Sequence, residues 1–460
     1  MASSKKLLPS DLPAFVEAKL KNWVQPGRHL ALALSGGADS VALLDILAQL
    51  RTSLHFPLSV VHVNHQISPN AADWAEFCAR LCAGYNIPFH VVKVDLKHQP
   101  GESLEALARD ARYRVFAEQQ ADFIVLAQHL DDQAETLLLQ LLRGAGAKGM
   151  SAMGVRREGL MEDAPHYVRP MLDVPRRVIL DYAVLRGLHW IEDESNADIA
   201  YDRNYLRHRV MPLLERRFPG YRETFARASR NLAESAQLMN DLARLDCAAA
   251  ASGGRLKVEV LRGLSAARAK NLLRYWLAQL GVPMPSAGRL ENVLQQLCGS
   301  RDDAQVLVHL GDNVIRRYRG EVYLEPSAKS PEGKKKSLVS QPELALTWTF
   351  QDELKLPDSG GRLVFERTVG QGLSLARLSA EPVTVRLRRG GERLRPDCRR
   401  PSRSLKNLLQ EAGIPPWQRK RLPLLFSGEK LVFVPGIGAA CEYRADEGEI
   451  GVVVKFETPV

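Results

Sequence analysis

The first polar cluster of the chain stands between an apolar run and a helical pattern. It consists of Ser35, Gly36, Gly37, Ala38, Asp39 and Ser40. Where a buried strand turns into a helix, glycines let backbone N–H groups approach an anion, and serine hydroxyls can donate hydrogen bonds to phosphate oxygens. The alternative is a tight turn with a serine cap. Because G-x-x-x-x-G-K-[ST] occurs nowhere in the chain, the cluster predicts a phosphate-binding loop other than a Walker A loop.

This loop also contains a carboxylate, Asp39. A carboxylate beside a phosphate is unfavourable unless a cation lies between them, and Mg²⁺ accepts oxygen ligands from both groups. The loop therefore predicts a nucleotide phosphate bound together with Mg²⁺.

A second cluster follows the apolar run 123–127 directly and comprises His129, Asp131, Asp132 and Glu135. Carboxylates at a helix N-terminus are stabilised by the helix dipole, and a simple helix cap is the plain interpretation. With a histidine beside them, the same carboxylates suit metal or nucleophile handling at a phosphate site. Both interpretations stay open on the residues alone.

A third pattern covers residues 102–116. Apolar residues form one stripe at helical spacing, while Glu105, Arg109 and Arg112 lie three and four residues apart on another face. A solvated ion-pair face is one interpretation. The other is a basic face directed at a phosphate.

The elements around these clusters alternate between strand and helix. The apolar runs are 29–34, 58–63, 89–94 and 123–127, and the helical patterns are 40–50, 71–84, 102–119 and 133–142. This alternation predicts an α/β fold with a doubly wound parallel sheet that is covered on both faces. Ligands of such sheets bind beyond the carboxyl ends of the strands. The first two clusters follow strand ends, and so do Asn64 and His65.

Composition shifts divide the rest of the chain. We predict an α/β domain at 1–217, a mainly helical middle domain at 218–325, a flexible polar linker at 326–342, and a basic, mixed α+β domain at 343–460.

The charge is strongly uneven. The chain of 460 residues carries 63 Lys and Arg against 53 Asp and Glu, a net charge of +10, and Arg386–Arg421 alone holds twelve basic and three acidic residues. A concentrated basic segment is typical of a protein that contacts RNA phosphates, although a merely basic enzyme is the plain alternative. The candidate RNA contacts are Arg203, Arg207, Arg399, Arg400, Arg403, Lys406, Arg419, Lys420 and Arg421.

Six scattered cysteines without a C-x-x-C pair predict reduced thiols rather than a disulfide framework or a metal cluster. No apolar run approaches the roughly 18 residues of a membrane span, and the N-terminus lacks a signal-type core. We therefore expect a cytoplasmic protein without membrane contact.

The loop S-G-G-A-D-S resembles the phosphate loop of the ATP pyrophosphatase (PP-loop) family, whose members split ATP between the α and β phosphates. Within that family the chain is most similar to the tRNA(Ile)-lysidine synthetases. The motifs that carry this similarity are "HLDDQAET", "EALARDARY", "HVNHQI", "LRGAGAKGMSAM", "RPMLDV", "DESNAD", "YDRNYLRHRVMP" and "SRSLKNLLQEAGIPPWQRKRLPLL". The last departs from the family in that Pro401-Ser402-Arg403 replaces a more usual Gly-Arg pair.

The resemblance implies a two-step ligation. ATP adenylates the C2 oxygen of the wobble cytidine in a tRNA(Ile) with a CAU anticodon, which releases pyrophosphate. The amine of L-lysine then attacks C2, forms lysidine and expels AMP. Two alternatives remain at this point, a PP-loop tRNA thiolase and a non-catalytic, nucleotide-gated RNA-binding protein. No cysteine lies in the phosphate loop or in the "DDQAET" motif, which disfavours sulfur transfer.

The resemblance also assigns roles. It implies that the domain at 1–217 is catalytic, that the middle domain binds tRNA or substrate, and that the C-terminal domain and the candidate RNA contacts bind tRNA. It further implies that His62, Asn64 and His65 contact the nucleotide, with a strand-end turn as the plain alternative.

On the same resemblance, the segment Ser35–Ser40 is expected to bind the phosphates of ATP, and Asp39 and Asp132 to bind Mg²⁺. Arg112 and His129 are assigned to the adenylated cytidine or its phosphate, so that Asp39, Arg112, His129 and Asp132 form the expected catalytic set. The candidates for the lysine ammonium are Asp131, Asp132 and Glu135. A homodimer is left open.

Overall fold

The computed structural model describes residues 7–96, 104–159, 164–252, 254–301, 304–327, 346–356 and 361–457. It divides into two compact units, Met1–Leu238 and Met239–Val460. Most of the linker predicted at 326–342, from residue 328 onward, lies outside the described residues, as do the first two residues of the third pattern at 102 and 103.

The first unit is built on a six-stranded sheet in the order β3-β2-β1-β4-β6-β5. The strands are β1 Leu30–Ala33, β2 Leu58–Asn64, β3 Phe89–Lys93, β4 Phe123–Val125, β5 Arg156–Arg157 and β6 His166–Val168. All neighbouring strands pair in parallel except β5 and β6, which pair in antiparallel fashion at the edge. The chain order reverses between β1 and β4, so the crevice beyond their carboxyl ends is the expected ligand site.

Helices cover both faces of this sheet, and the predicted doubly wound α/β fold is confirmed. They are α1 Leu12–Lys21, α2 Ala38–Ser53, α3 Ala71–Gly84, α4 Leu104–Ala117, α5 Leu130–Leu142, α6 Ala147–Met150, α7 Arg176–Leu185, α8 Asp202–Tyr205 and α9 Met211–Arg217, with a π-helical turn at Leu206–Val210 between the last two. One core joins Leu32 and Val60 to the buried face of α2. A smaller core on the opposite face packs Phe116 of α4 against Ile124 and Tyr167.

Helices dominate the sequence that follows. They are α10 Tyr221–Ala250, within which the division between the units falls, α11 Val258–Gly263, α12 Ala266–Gln279 and α13 Ala287–Gly299. A five-stranded sheet accompanies them, with strands β7 Ala251–Ser252, β8 Arg255–Lys257, β9 Leu307–Leu310, β10 Asn313–Tyr318 and β11 Glu321–Pro326. Leu272, Trp276 and Ile315 are buried in the core that these helices and strands share.

The C-terminal part combines antiparallel sheets with short helices, as the predicted α+β class requires. Its strands are β12 Leu346–Trp348, β13 Glu353–Lys355, β14 Arg362–Val369, β15 Leu373–Ser374, β16 Val383–Arg386, β17 Arg393–Leu394, β18 Arg403–Ser404, β19 Leu424–Ser427, β20 Lys430–Val434, β21 Gly438–Ala439 and β22 Ile450–Glu457. Its helices are α14 Leu375–Leu378, α15 Leu405–Glu411 and α16 Pro416–Arg419. Alternating burial along β14, β16 and β22 places their apolar residues in one core.

One prediction about the cysteines is wrong. Cys398 and Cys441 form a disulfide, with their Cα atoms 5.4 Å apart across a sequence separation of 43 residues. The scattered spacing concealed this pair because the tertiary fold, and not the local sequence, brings the two residues together. Cys78, Cys82, Cys247 and Cys298 are free thiols.

Among the described residues, no helix combines the length and the apolar character that crossing a membrane requires.

Candidate active site

Two loops meet at the point where the strand order of the first sheet reverses. Strand β1 lies beside β4 in parallel register, with Leu30 opposite Phe123 and Leu32 opposite Val125. The loop after β1 leads into α2, and the loop after β4 leads into α5. The first and second polar clusters of the sequence therefore face each other at one edge of the sheet.

The loop Ser35–Ser40 is held in shape by its own hydroxyls. Ser40 Oγ donates to the Gly37 carbonyl at 2.9 Å, accepts from the Ser35 amide at 3.2 Å and lies 3.1 Å from Ser35 Oγ. Gly37 is the N-cap of α2 and has no side chain to occupy the first N–H groups of the helix. Free amides at the start of a 16-residue helix form a favourable position for an anion.

The two glycines of this loop have different tasks. Gly36 has φ +89°, a conformation that L residues rarely adopt, and a Cβ there would lie 2.7 Å from Ile191 Cδ1. Gly37 has φ −73°, and a Cβ there would meet only Ser35 Oγ, at 3.6 Å. Gly36 is therefore needed for the fold of the loop, whereas Gly37 has room within the protein for a side chain.

Asp39 lies between the two loops with one oxygen unused. Its Oδ2 is 3.6 Å from both His129 Nε2 and Arg176 Nε, while its Oδ1 is buried and has no hydrogen-bond partner. A buried carboxylate oxygen without a partner is costly unless a ligand completes it. This orphaned oxygen, beside a loop suited to phosphates, is the observation in the structure that fits a bound Mg²⁺.

His129 and Asp132 form a capping box at the start of α5. The His129 amide donates to Asp132 Oδ2 at 3.1 Å, and the Asp132 amide donates to His129 Nδ1 at 3.3 Å. His129 is buried, with Nε2 3.4 Å from Asp132 Oδ2. Burial acts to lower the pKa of His129, but the charges of Asp132 and Asp39 outweigh it and raise that pKa. The imidazole thus directs its Nε2 at the carboxylate of the phosphate loop.

A buried carboxylate, Glu135, lies one turn further along α5 and binds two arginines. Arg203 Nε donates to Glu135 Oε2 at 2.7 Å and Arg207 Nε to Oε1 at 2.6 Å. Arg203 also reaches Asp132, with Nη2 2.9 Å from Oδ1. Burial acts to lower the pKa of Arg203, but Asp132 and Glu135 outweigh it and raise that pKa. Two proposed lysine ligands and two proposed tRNA contacts therefore meet in one ion-pair network.

Asp131, the third proposed lysine ligand, has structural partners. Its Oδ2 accepts from the backbone amide of Arg176 at 2.8 Å, and its Oδ1 accepts from Arg222 Nε at 2.5 Å. Arg176 begins α7 and also faces Asp39, a position that sequence reasoning missed. The only signal was that Arg176 follows the "RPMLDV" motif by two residues.

The end of β2 contributes one available ring nitrogen. His62 Nδ1 lies 2.8 Å from the Leu34 carbonyl, and Asn64 is used in a turn, since it donates to the Ala71 carbonyl and accepts from the Gln66 amide. His65 Nδ1 is buried without a partner. Desolvation and the positive charges of Arg112 and His62 lower the pKa of His65 to about 4, so its ring is neutral at physiological pH.

The basic residues proposed to contact tRNA in the C-terminal part differ in how far they are engaged. Arg399, Arg400, Lys406, Lys420 and Arg421 are exposed. Arg403 forms a two-pronged ion pair with Glu411, and Arg419 donates to the Ile414 carbonyl and the Tyr318 hydroxyl. Trp417, which lies among these basic residues, packs edge-on against Tyr318 and Tyr323 and is half-buried.

A cavity of about 680 Å³ opens in the same part of the chain. Its lining includes Arg386, Arg393 and Arg395 together with Phe426 and Tyr443. Arg386 is paired with Glu429 and Arg395 with Glu442, so much of the charge in this cavity is already compensated.

Comparisons with known proteins cover nearly the whole chain. Three family models match: "PP-loop domain" at residues 12–214, "TilS substrate binding domain" at 256–323 and "TilS substrate C-terminal domain" at 383–456. The chain is 44% identical to the tRNA(Ile)-lysidine synthase of Nitrosomonas europaea, over 99% of this chain and 98% of that protein. It is 40% identical to the tRNA(Ile)-lysidine synthase of Azoarcus sp. strain BH72, over 95% of this chain and 94% of that protein.

Among solved structures, the U34-tRNA thiolase NcsA from Methanococcus maripaludis with its [4Fe-4S] cluster matches with a TM-score of 0.43 and 18% identity. That match covers 49% of this chain and 79% of that chain. A likeness at this level carries no functional conclusion.

Proposed function

The chain belongs to the tRNA(Ile)-lysidine synthase family, and we propose how its residues divide the work of ATP-dependent lysidine formation on tRNA(Ile). The reaction is the two-step ligation in which ATP adenylates the C2 oxygen of the wobble cytidine of a CAU-anticodon tRNA(Ile), and the amine of L-lysine then attacks C2 and displaces AMP. One juxtaposition carries the assignment of roles. The small-residue loop at the start of α2 and the unpartnered oxygen of Asp39 lie opposite His129 at the switch point of the sheet.

The loop Ser35–Ser40 binds the phosphates that leave as pyrophosphate. Its hydroxyls already fix each other, so the amides at the start of α2 are held in place before ATP arrives. Preorganised donors stabilise the charge that accumulates on the leaving phosphates without reorganisation during the reaction. His65, with a neutral ring and an unpartnered Nδ1, is the contact that we assign to the nucleotide at the end of β2.

We assign Mg²⁺ to Asp39 alone. Its Oδ1 is free to bind a cation, whereas the oxygens of Asp132 already accept from His129 and Arg203. Among the described residues, no group of three or more His, Cys, Asp and Glu could hold a metal ion, so phosphate oxygens and water would supply the remaining ligands. Bound there, Mg²⁺ would neutralise charge on the phosphates during adenylation.

His129 and Arg112 act on the nucleotide that receives AMP. Buried between two carboxylates, the His129 ring is fixed in orientation, and its Nε2 directs a proton towards the phosphate loop. Arg112 lies on α4, is exposed, and its positive charge reaches His65. A guanidinium there can donate hydrogen bonds to the phosphate of the adenylated cytidine.

The assignment of lysine to Asp131, Asp132 and Glu135 stays a prediction, and the contacts restrict it. Each of these carboxylates already accepts from an arginine. An incoming ammonium group would have to share a carboxylate with a guanidinium or displace it. The lysine amine that attacks C2 must also be neutral, since only the free electron pair is nucleophilic.

The thiols of the first unit are unsuited to the rival sulfur-transfer reaction. Cys78 and Cys82 are buried in α3, and burial raises the pKa of each to about 12. A thiol with such a pKa supplies almost no thiolate at neutral pH.

We further propose that the exposed basic residues of the C-terminal part bind tRNA, and that the protein acts in the cytoplasm, where tRNA, ATP and L-lysine occur together. A homodimer remains a hypothesis.

The experiment is incubation with ATP, labelled L-lysine and a CAU-anticodon tRNA(Ile) transcript, followed by analysis of nucleosides and nucleotides. We expect AMP, pyrophosphate and label in a single nucleoside, all three dependent on the transcript. A transcript with a GAU anticodon is the matched control and should take up no label. ADP and orthophosphate as products, or cleavage of ATP without label in RNA, would overturn the proposed function.

A further inference from the structure

A group of arginines beside the candidate active site has no acidic partner. Five arginines near this site form no ion pair with a carboxylate of the described residues: Arg109, Arg112, Arg156, Arg157 and Arg169. Several exposed arginines elsewhere in the unit, such as Arg114 and Arg227, are likewise without an ion pair. Of the five only Arg169 is buried, whereas the half-buried Arg203 and Arg207 are paired with Glu135. Like charges gathered without a counter-charge are unfavourable in the free protein and become favourable when an anion binds.

Three of these arginines surround one tyrosine, and we call them the Tyr113 arginine cluster: Arg109, Arg157 and Arg169. The guanidinium carbons of Arg109 and Arg157 lie 5.1 and 5.0 Å from the centre of the Tyr113 ring, and Arg169 Nη2 donates to its hydroxyl at 3.3 Å. Arg157 also stacks over Tyr167, at 4.9 Å. The stacking contacts stabilise the guanidinium groups of Arg109 and Arg157 by about 0.5–1 kcal/mol each and fix their planes without using their N–H groups. The N–H groups of Arg169 instead donate to Gln128, Gly154 and Tyr113.

The potential around the ring is positive. Burial acts to raise the pKa of the Tyr113 hydroxyl, but the charges of Arg169 and Arg109 outweigh it and hold that pKa below its usual value. Arg109 and Arg157 are exposed, whereas Arg169 is 3% exposed. The cluster therefore presents two accessible cations over a buried third.

The cluster is connected to the catalytic edge. Arg169 follows β6 directly and donates to Gln128, the residue before His129. Arg112, assigned to the adenylated nucleotide, lies on α4 between Arg109 and Tyr113 in sequence. Arg156, the preceding residue of the edge strand β5, lies with its guanidinium 5.8 Å from the centre of the Phe123 ring, in the core on the other face of the sheet, and is not part of the cluster.

We propose that the Tyr113 arginine cluster binds backbone phosphates of the RNA arm that presents the reacting cytidine. The inference rests on the proposed function. Two sources of phosphate, ATP and RNA, share the necessary chemistry. RNA is favoured because the amides at the start of α2 already serve ATP, and because the unpaired arginines extend over two elements, as successive phosphates of one strand require.

The test measures binding of an isolated anticodon stem-loop RNA by the full chain, over a series of salt concentrations. The double variant Arg109→Ala and Arg157→Ala should bind this RNA about tenfold or more weakly. The slope of log affinity against log salt should fall by about two, because each of the two guanidinium groups neutralises one phosphate. Arg157→Lys keeps the charge but removes the planar stacking, and should give an intermediate affinity.

Arg114→Ala is the matched control, because Arg114 is exposed on the same helix and its removal takes away a positive charge in the same way as each single substitution of the pair. It should leave RNA affinity within about twofold of wild type. Binding of ATP alone should be unchanged in every variant. Wild-type affinity of the double variant for the stem-loop would overturn the proposal, and so would an equal loss of ATP affinity.

Failure of the proposed function would give a different experimental result from failure of the cluster proposal. In that case the wild-type chain would form no lysidine even with saturating tRNA. If it forms lysidine while the double variant binds the stem-loop normally, only the role of the cluster is wrong.

Discussion

At the scale of single residues, the two glycines of the phosphate loop have different roles. One is required for the backbone conformation of the loop, and the other leaves space for a ligand. Gly36 requires a positive φ that alanine resists, whereas Gly37 has room for a methyl group within the protein. The sequence motif treats the two positions alike. Only the backbone geometry distinguishes them.

We therefore predict that one alanine variant of the loop loses activity while keeping its stability, and that the other loses stability. Gly37→Ala should unfold with a free energy within about 1 kcal/mol of wild type, because only a helix N-cap glycine is replaced. Its pyrophosphate release should nevertheless fall about tenfold or more, because the methyl group lies where the phosphates approach. Gly36→Ala should instead lose about 1–3 kcal/mol of stability. Denaturant unfolding and a pyrophosphate assay check both, and normal turnover of Gly37→Ala would contradict the assigned role of the loop.

His65 predicts a dependence of stability on pH. Its pKa is lowered from 6.5 in the unfolded chain to about 4 in the fold, so the unfolded state binds more protons between these values. The free energy of unfolding should therefore fall as the pH drops from about 6.5 to 4, and this contribution is fully present above 6.5. The measurement is urea unfolding of wild type and His65→Asn across that range. A difference between the two proteins that does not change with pH would contradict the buried, neutral ring.

At the scale of elements, the start of α5 organises the site. Its first turn supplies His129 and Asp132 as a reciprocal cap, and its second turn supplies Glu135, which fixes Arg203 of α8 and Arg207 of the π-helical turn. The sequence assigned these residues separately, the acids to lysine and the arginines to tRNA. In the structure the same groups pair with one another, and the network aligns α5 with the segment that follows α7.

Glu135→Gln should break this alignment. The change leaves Arg203 and Arg207 to share Asp132, and breaking a buried ion pair typically costs about 3–5 kcal/mol. Asp131→Asn is the matched control, since Asp131 is more exposed, with 21% of its side chain accessible, and faces only one guanidinium. We expect a much smaller loss of stability there. Thermal unfolding and lysine-dependent turnover are measured for both variants. An equal loss of stability in the two would contradict the proposed role of Glu135 in the ion-pair network.

At the scale of the whole molecule, basic charge is present in both units but is engaged differently. In the first unit the unpaired arginines border the catalytic edge. In the second unit Arg399 and Arg400 are exposed on a loop whose Cys398 is bonded to Cys441, and Arg400 lies 3.6 Å from Asp397 in an exposed ion pair. Arg403 is less exposed and forms a two-pronged ion pair with Glu411. The two surfaces should therefore contribute separately to the affinity for a whole tRNA.

The double variant Arg399→Glu and Arg400→Glu should bind whole tRNA more weakly, and the salt dependence of binding should be smaller, because two exposed cations are removed. The binding of an isolated anticodon stem-loop should change little, since that RNA lacks the rest of the molecule. Filter binding of both RNAs over a salt series measures this. Arg403→Ala should have a smaller effect, because Glu411 already engages its guanidinium. Unchanged affinity for whole tRNA at low salt would remove this loop from the interface.

The sequence by itself determined the α/β class, the positions of the first four strands of the parallel sheet and the loops that follow them. Apolar runs separated by amphipathic helices suffice for this, because the periodicity of side chains is local information. It also singled out the candidate phosphate loop, His129 and the acidic start of α5, since their types and order form motifs.

Only the tertiary structure decided which of these residues are available to a ligand. Asn64, Asp131 and Glu135 are polar and belong to motifs, yet each already has a hydrogen-bond partner in the protein. The partner of Asn64 lies in a local turn, and those of Asp131 and Glu135 lie far away in sequence. Conversely, the unused oxygen of Asp39, the disulfide between Cys398 and Cys441 and the unpaired arginines around Tyr113 have no local signature. The physical reason is that hydrogen-bond and charge partners are set by distance in space, which residue spacing along the chain does not specify.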